Sequence, residues 1–261
     1  MNKKYKIHSS FLHLVAKKVN KSFDGIKALN DVDFEVNRGE VMGLVGDNGA
    51  GKSTLMKVLS GDQLCDKGSF YIEGREIQIK SPQDASKYGI QIVYQDLALC
   101  ENLDVSANLF LGNEVCHLEN IKIIPKILKP LNHLSMEKET KTIIEKLKVN
   151  TINSLRTKIR FLSGGQRQSI AIARATKFNS SIVLLDEPTA SLGISQTKQV
   201  LELIKRLRET RHAVVIISHN LAIIFEVCDR ITVMRQGKNV GVFDKEDTKP
   251  EKIVSAITFG E

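Results

Sequence analysis

The chain has 261 residues, enough for one large domain or two small ones. Its composition, 42% hydrophobic and 26% charged, is close to the globular average and excludes wholesale disorder. Lys and Arg outnumber Asp and Glu by 38 to 30, a net charge of +8. This excess suits anionic ligands, but because it is spread along the chain it also fits an ordinary solvated surface.

The sequence also argues against a membrane-spanning, a secreted and a nucleic-acid-binding protein. No apolar run approaches the roughly 18 residues that a membrane helix needs. The first ten residues are polar and basic, without the apolar segment of a secretory signal. The four cysteines are scattered without metal-ligand spacing, which indicates reduced thiols in the cytosol. Tryptophan is absent and aromatic residues are 5%, so we expect no base-stacking surface and no nucleic-acid partner.

The first third of the chain predicts strands and one helix. Apolar residues alternate over 32–36, and residues 40–45 form a short apolar run typical of a buried strand. A glycine-rich loop follows, and residues 52–60 predict a helix that ends at Gly61. Residues 89–94 predict another buried strand.

The middle of the chain, residues 97–159, predicts a helical insert. Ser135 is the predicted N-cap of a helix with apolar positions 143, 144 and 147 on one face. Within this insert, the proline-containing stretch 119–134 has no clear pattern.

The last third returns to alternating strands and helices. Residues 182–185 and 214–217 predict buried strands, and the helix between them predicts an ion pair of Glu202 with Arg206. Such alternation predicts an α/β fold with a mostly parallel sheet covered on both faces.

A phosphate-binding loop lies between the second predicted strand and the first predicted helix. Its sequence fits G-x-x-x-x-G-K-[ST], and Thr54 follows it. The glycines allow backbone N–H groups to approach phosphate oxygens, and the following helix adds its positive end. Lysine would reach the β and γ phosphates, and the serine hydroxyl would bind Mg²⁺. The predicted ATP-binding residues of this loop are Gly46, Asp47, Asn48, Gly49, Ala50, Gly51, Lys52, Ser53 and Thr54.

The predicted strand at 182–185 delivers two adjacent carboxylates, Asp186 and Glu187. In a P-loop enzyme the first would join the Mg²⁺ shell and the second would act as general base on the attacking water. Specificity for guanine is not supported. The motif that reads guanine is Asn-Lys-x-Asp, and residues 20–23 have Phe where that motif requires Asp.

A third motif spans residues 162–166 (the signature segment), Leu-Ser-Gly-Gly-Gln. Ser163 and Gln166 predict a capping box that opens a helix over 167–176. Gly164 and Gly165 leave the first amides of that helix bare, which predicts a second anion-binding helix end.

The signature segment, 20 residues before Asp186, resembles that of ABC ATPases. Three further residues stand where that family has functional ones. Gln95 follows a strand as the family's Q-loop does, and His219 follows a strand as its switch histidine does. Phe23 precedes the P-loop, where the family stacks a ring on adenine; taken alone, it also reads as a core residue. The resemblance implies that Gln95 joins the Mg²⁺ shell and that Lys52, Gln95, Glu187 and His219 act in ATP hydrolysis.

The resemblance implies a P-loop NTPase (RecA-like) core with an antiparallel β-subdomain and an α-helical subdomain. We expect a single ABC ATPase domain over 1–261, with a tail at 1–13. The core and β-subdomain would occupy 14–95 and 177–261, and the α-helical subdomain with the signature 96–176. In that family two domains sandwich two ATP molecules, each between the P-loop of one subunit and the signature of the other.

A narrower resemblance points to monosaccharide importers. Residues 46–54, 81–85, 89–99 and 108–112 are similar to those of the ribose, xylose and fructose type, and 189–197 to its single-domain form. Within 189–197, Gly193 replaces the usual Asp of the D-loop, which puts that loop's contacts across the dimer in question.

The sequence therefore predicts the ATP-hydrolysing subunit of an ABC importer for a pentose or hexose. The resemblance implies a peripheral position on the cytoplasmic face of the membrane, permease partners and an external sugar-binding protein. It does not identify the sugar. Two alternatives stay open: a soluble ABC ATPase acting in DNA repair or translation, and an importer subunit for another solute.

Overall fold

The computed structural model describes residues 12–117, 129–149, 151–177 and 180–260. Most of the unpatterned stretch 119–134 therefore lies outside the described residues. Within the described ranges, ten strands form two sheets. The strands are β1 (Leu12–Phe23), β2 (Ile26–Asn37), β3 (Val41–Val45), β4 (Lys67–Ile72), β5 (Arg75–Ile77), β6 (Ile90–Val93), β7 (Ile182–Asp186), β8 (Ala213–Ile217), β9 (Arg230–Arg235) and β10 (Lys238–Asp244).

Eight helices and one 3₁₀ turn (Ile159–Phe161) complete the described elements. They are α1 (Lys52–Leu59), α2 (Pro82–Lys87), α3 (Val105–Phe110), α4 (His133–Lys146), α5 (Gly164–Thr176), α6 (Ile194–Glu209), α7 (Leu221–Val227) and α8 (Pro250–Phe259). Among these residues, no helix combines the length and the apolar character that crossing a membrane requires.

The two sheets have different architectures. One is antiparallel, in the order β2-β1-β4-β5. The other has six strands in the order β10-β9-β3-β8-β7-β6, parallel except for β10, which pairs antiparallel with β9. This is the α/β architecture with an antiparallel β-sheet that the sequence predicts.

The central strands of the parallel sheet are buried on both faces, which explains their unbroken apolar runs. All five residues of β3 and of β8 are buried. Along β3, Val41 and Val45 belong to a core with α5 and α6, whereas Met42 and Leu44 belong to a core with α1 and the antiparallel sheet. The strands are therefore held rigidly from both sides, and the loops at their carboxyl ends are fixed in place.

Two local predictions, one in α4 and one in α6, are wrong. The N-cap of α4 is Asn132, whose side chain accepts the N–H of Ser135 at 3.0 Å, so Ser135 lies inside the first turn. Glu202 contacts Lys205 at 3.2 Å rather than Arg206. The Arg206 guanidinium instead donates 2.8 Å hydrogen bonds to the carbonyls of residues 147 and 148, because the C-terminal end of α4 presents acceptors without intrahelical partners.

Candidate active site

The carboxyl edge of the parallel sheet brings the predicted site residues together. Leu44 of β3 and Asp186 of β7 both lie opposite Ile217 of β8, and Val93 of β6 lies opposite Leu185. The segments that leave these strands therefore start side by side. They are the P-loop after β3, the two carboxylates at the end of β7, His219 after β8 and Gln95 after β6.

The P-loop closes over the Lys52 side chain, and its three glycines have positive φ. Its glycines are required, since Gly46 has φ +150° and a Cβ there would lie 2.1 Å from the carbonyl oxygen of Met234. The buried Lys52 ammonium donates to the carbonyls of Gly46 at 2.8 Å and Asp47 at 2.9 Å. Burial lowers the pKa of Lys52, and the carboxylate of Glu187 is the largest opposing influence.

The first turn of α1 faces the loop with free donors. Its N-cap is Gly51, at φ +99°, and no side chain of the described residues caps the helix. Ser53 is exposed and Thr54 is half-buried in the same turn. The uncapped amides, the helix dipole and the Lys52 ammonium together form a binding site for phosphate groups.

Three titratable side chains face the P-loop from β7 and β8. Glu187 Oε1 lies 2.7 Å from His219 Nε2. The Glu187 backbone is left-handed, with φ +49°, and its N–H donates to the Ile217 carbonyl at 3.1 Å. This conformation is uncommon for a residue with a side chain and is held here by the neighbouring strand. Burial, and then the adjacent Glu187 carboxylate, raise the pKa of Asp186.

Gln95 is exposed in the turn after β6, and the signature helix holds that turn. Arg174 of α5 donates to the carbonyls of Leu97 at 2.9 Å and Ala98 at 2.7 Å. Both of these residues have positive φ, +61° and +45°. Sequence reasoning missed this role of Arg174, because its partners lie 76 and 77 residues away and no local pattern marks them.

Phe23 is 40% exposed at the end of the β1–β2 hairpin, so the interpretation of Phe23 as a core residue is wrong. The Lys21 ammonium lies 5.3 Å from its ring centre. The same hairpin touches the P-loop, since a Cβ at Gly51 would lie 2.6 Å from the carbonyl oxygen of Ala28. Phe23 therefore lies at the turn of a hairpin whose second strand contacts the P-loop.

The signature segment forms the predicted capping box. Ser163 N–H donates to Gln166 Oε1 at 2.9 Å, and Gln166 N–H donates to Ser163 Oγ at 3.3 Å. The helix begins at Gly164, three residues earlier than predicted, because both glycines lie in its first turn. In the described part of the chain, the side-chain hydrogen bonds of Ser163 and Gln166 join these two residues to each other and Gln166 to Thr151, and none reaches the P-loop.

The two signature glycines are also required by packing, which sequence reasoning missed. A Cβ on Gly164 would lie 2.9 Å from Leu192 Cδ2, and a Cβ on Gly165 would lie 2.9 Å from Gln196 Cβ. The D-loop segment and the first turn of α6 thus rest directly on the signature. Gly193 itself is exposed, with open space around it and φ −70°, so it is not required by backbone strain.

The C-terminal helix α8 closes one side of the site. A cavity of about 240 Å³ is lined by Gly46, Asp47, His219 and three residues of α8, namely Val254, Ile257 and Thr258. No motif in the sequence marks α8 as part of this region.

A strand–loop–helix phosphate cradle after β3, with two carboxylates at the end of β7, the second strand along the same sheet, defines a P-loop nucleoside triphosphatase. The ABC transporter family matches residues 29–190, which is more than half of the chain. Together with 42% identity to one relative, this match shows that the chain belongs to the family and binds ATP. That relative is the xylose/arabinose import ATP-binding protein of Sulfolobus acidocaldarius, aligned over 92% of this chain and 91% of its own length. The fructose import ATP-binding protein of Rhizobium meliloti is 39% identical over 94% and 93% of the two chains. A nucleotide-free ATP-binding cassette from an ABC transporter superposes with a TM-score of 0.77 at 29% identity, covering 94% and 95%.

Proposed function

We propose that this chain hydrolyses ATP to energise the import of a monosaccharide, a pentose or a hexose. The observation that carries the proposal is the Glu187–His219 contact of 2.7 Å beside the P-loop, because it supports an oriented base next to a phosphate-binding site. The sugar class rests on the xylose/arabinose and fructose relatives, which match the chain along more than nine-tenths of its length.

In the proposed reaction, Glu187 accepts a proton from the attacking water. The water oxygen bonds to the γ-phosphorus as the bond to the β-phosphate oxygen breaks, giving ADP and phosphate. Lys52 and the amides at the start of α1 offset the charge on the phosphates. His219 orients Glu187, and Gln95 lies at the neighbouring strand end, where it connects the site with the permease.

The residues present suit Mg²⁺. Asp186 is a half-buried carboxylate whose pKa is raised by burial and by Glu187, so a cation beside it relieves an unfavourable charge. The exposed Ser53 hydroxyl adds a second oxygen donor of the kind that Mg²⁺ prefers. When bound, the ion neutralises charge on the β and γ phosphates; Ser53, Asp186 and Gln95 are the residues proposed to hold it.

The position of the signature segment supports the proposal of a homodimer with ATP between the subunits. Ser163 and Gly164 are exposed at the start of α5, and among the described residues neither has a hydrogen bond to the P-loop. A γ-phosphate held by Lys52 in one subunit would then meet the signature of the second subunit. Phe23 is proposed to stack on the adenine of the same nucleotide.

The remaining partners follow from the importer assignment. We propose permease subunits, an external sugar-binding protein and a peripheral position on the cytoplasmic face of the membrane. The α-helical region 96–176 would contact the permease, while 14–95 and 177–261 would form the catalytic core and β-subdomain.

Deletion of the gene in its native cells tests this function. Uptake of one sugar among labelled xylose, arabinose, fructose and ribose should be lost, and wild-type chain should restore it. Lys52→Ala should not restore uptake, because it removes the charge that holds the β and γ phosphates. Lys67→Ala, which changes an exposed lysine of β4, is the control and should restore it. Unchanged uptake of all four sugars would contradict the proposed substrate class.

A further inference from the structure

Asp66, the residue before β4, holds the end of β1 through three contacts. The pairing of β1 with β4 ends at Asn20, so within the described chain residues 21–23 extend beyond β4. The Asp66 N–H donates to the Asn20 carbonyl at 2.8 Å. The Asp66 carboxylate accepts the Ser22 N–H at 2.7 Å and contacts the Lys21 ammonium at 3.2 Å. Asp66 thus satisfies backbone groups of β1 at the point where β4 no longer pairs with it.

Phe23 follows this anchored segment directly and is the last residue of β1. It lies opposite Ile26, across the turn formed by Asp24 and Gly25, whose φ angles are +47° and +85°. Two positive φ angles are typical of a tight hairpin turn. Ile26 is 74% exposed, and a Cβ on Gly25 would meet nothing within 4 Å. Because the tip has so little side-chain packing, the position of the Phe23 ring depends on how the two strands are anchored.

The two strands of this hairpin are anchored on opposite sides of the phosphate site. The β2 strand rests on the P-loop, where the Ala28 carbonyl lies against Gly51. The β1 strand is held by Asp66, which lies in the segment that leads from α1 to β4. That segment is fixed in turn, because the half-buried Cys65 packs against the core that contains α1. Asp66 therefore connects the helix whose amino-terminal end forms the phosphate site with the strand that carries Phe23.

The Lys21 ammonium joins the Asp66 carboxylate to the aromatic ring. It lies 3.2 Å from Asp66 Oδ1 and 5.3 Å from the centre of the Phe23 ring. A cation in this position is attracted to the face of the ring, so a base can stack only on the opposite face. The hydrogen bond from the Ser22 N–H, and then that from Lys21, lower the pKa of Asp66, so the carboxylate is ionised at neutral pH.

We propose that Asp66 is a positioning residue for nucleotide binding, which holds the end of β1 so that the Phe23 ring is aligned with the phosphate site at the start of α1. The inference rests on the proposed stacking of adenine on Phe23. Asp66 acts through the ring and not through a contact of its own with the nucleotide, so its effect should be confined to the base. A ligand with phosphates but no base should be insensitive to Asp66, because Lys52 and the amides of α1 stay in place.

Calorimetric titration with ADP and with inorganic pyrophosphate, both with Mg²⁺, tests the proposal, because pyrophosphate has the two phosphates of ADP without the base. Asp66→Ala should weaken binding of ADP at least threefold and leave the affinity for pyrophosphate within twofold of wild type. Asp66→Asn keeps an oxygen that can accept the Ser22 N–H, so it should bind ADP more tightly than Asp66→Ala.

Asp33→Ala is the matched control. The exposed Asp33 carboxylate also accepts a backbone N–H of β1, that of Lys18 at 2.8 Å, but away from the tip of the hairpin. This variant removes the same kind of hydrogen bond from the same pair of strands. It should bind both ADP and pyrophosphate as wild type does.

A double-mutant cycle distinguishes positioning of the ring from general stabilisation. Phe23→Ala should weaken ADP binding roughly five- to 150-fold. Adding Asp66→Ala to it should cause no further loss, because without the ring nothing remains to be aligned. Additive losses, or equal losses for ADP and pyrophosphate, would assign Asp66 a merely structural role and overturn the inference. Wild-type affinity for ADP in Asp66→Ala, with a loss in Phe23→Ala, would refute this inference alone; wild-type affinity in both would also refute the stacking.

Discussion

Arg174 controls the conformation of the turn that follows Gln95. Its guanidinium bridges the carbonyls of Leu97 and Ala98, and both of these residues are held in the left-handed region. For residues with a side chain that conformation costs roughly 1–2 kcal/mol each, or about 2–4 kcal/mol for the pair. Hydrogen bonds from a charged donor contribute roughly 1.5–3 kcal/mol each, or about 3–6 kcal/mol for the two. The arginine therefore outweighs the strain by a small margin.

Replacing this side chain by Arg174→Ala removes both hydrogen bonds that hold the turn in its strained conformation. The turn should relax, and the Leu97 amide, which donates to the Tyr94 carbonyl at 3.0 Å, should lose protection. We expect hydrogen exchange over 95–100 to accelerate at least tenfold, while the affinity for ATP stays within twofold. The global loss of stability should be about 1–2 kcal/mol, because the strain is released with the bonds.

Hydrogen exchange followed by mass spectrometry measures this effect, and Arg206→Ala is the matched control. Arg206 also binds two carbonyls, those of residues 147 and 148 at 2.8 Å, but at the end of α4. It should leave exchange over 95–100 unchanged. Arg174→Lys should be intermediate, since a single ammonium lacks the planar fork that reaches both carbonyls. Unchanged exchange over 95–100 in Arg174→Ala would refute the reasoning.

Two further predictions concern the nucleotide site. Asp186→Asn should raise the melting temperature of the nucleotide-free protein at pH 7.5, because a raised pKa means that ionised Asp186 destabilises the folded state. The gain should shrink as pH falls through the folded-state pKa and vanish below the unfolded value of 3.8; scanning calorimetry across pH measures it, and a gain at pH 3 equal to that at pH 7.5 would contradict it. Phe23→Ala should weaken ATP binding by roughly 1–3 kcal/mol if the ring stacks on the base. Because Phe23 is exposed, the unliganded melting temperature should stay constant, and an equal loss of apo and ADP-bound stability would contradict stacking.

The contiguous motifs could be predicted from the sequence because each carries its own local geometry. In each of these motifs the interacting residues are separated by only a few positions in the chain. The motifs are the P-loop glycines, the capping box of Ser163 and Gln166, and the Asp186–Glu187 pair. The parallel sheet follows from unbroken apolar runs, such as β3 and β8, and its register then brings the motifs to one edge.

Contacts between distant segments could not be predicted in this way. Arg174 meets its acceptors 76 and 77 residues away, and Gln196 meets the signature glycines only once α5 and α6 are packed. The predicted Glu202–Arg206 ion pair is wrong because Arg206 also has distant partners. Helical spacing allows the pair, but Arg206 donates instead to carbonyls at the end of α4.

The most direct test of the account is the oligomeric state of Glu187→Gln with Mg²⁺ and ATP. Glutamine keeps the shape of Glu187 but cannot accept the proton, and general-base assistance contributes roughly 10²–10⁴-fold to rate. Light scattering should therefore show a dimer with ATP, a monomer with ADP, and a monomer again when Ser163→Arg is added. A Glu187→Gln protein that binds ATP, stays monomeric at high concentration and hydrolyses ATP at the wild-type rate would contradict the account. It would exclude both the role of Glu187 as general base and the dimer with ATP between its subunits.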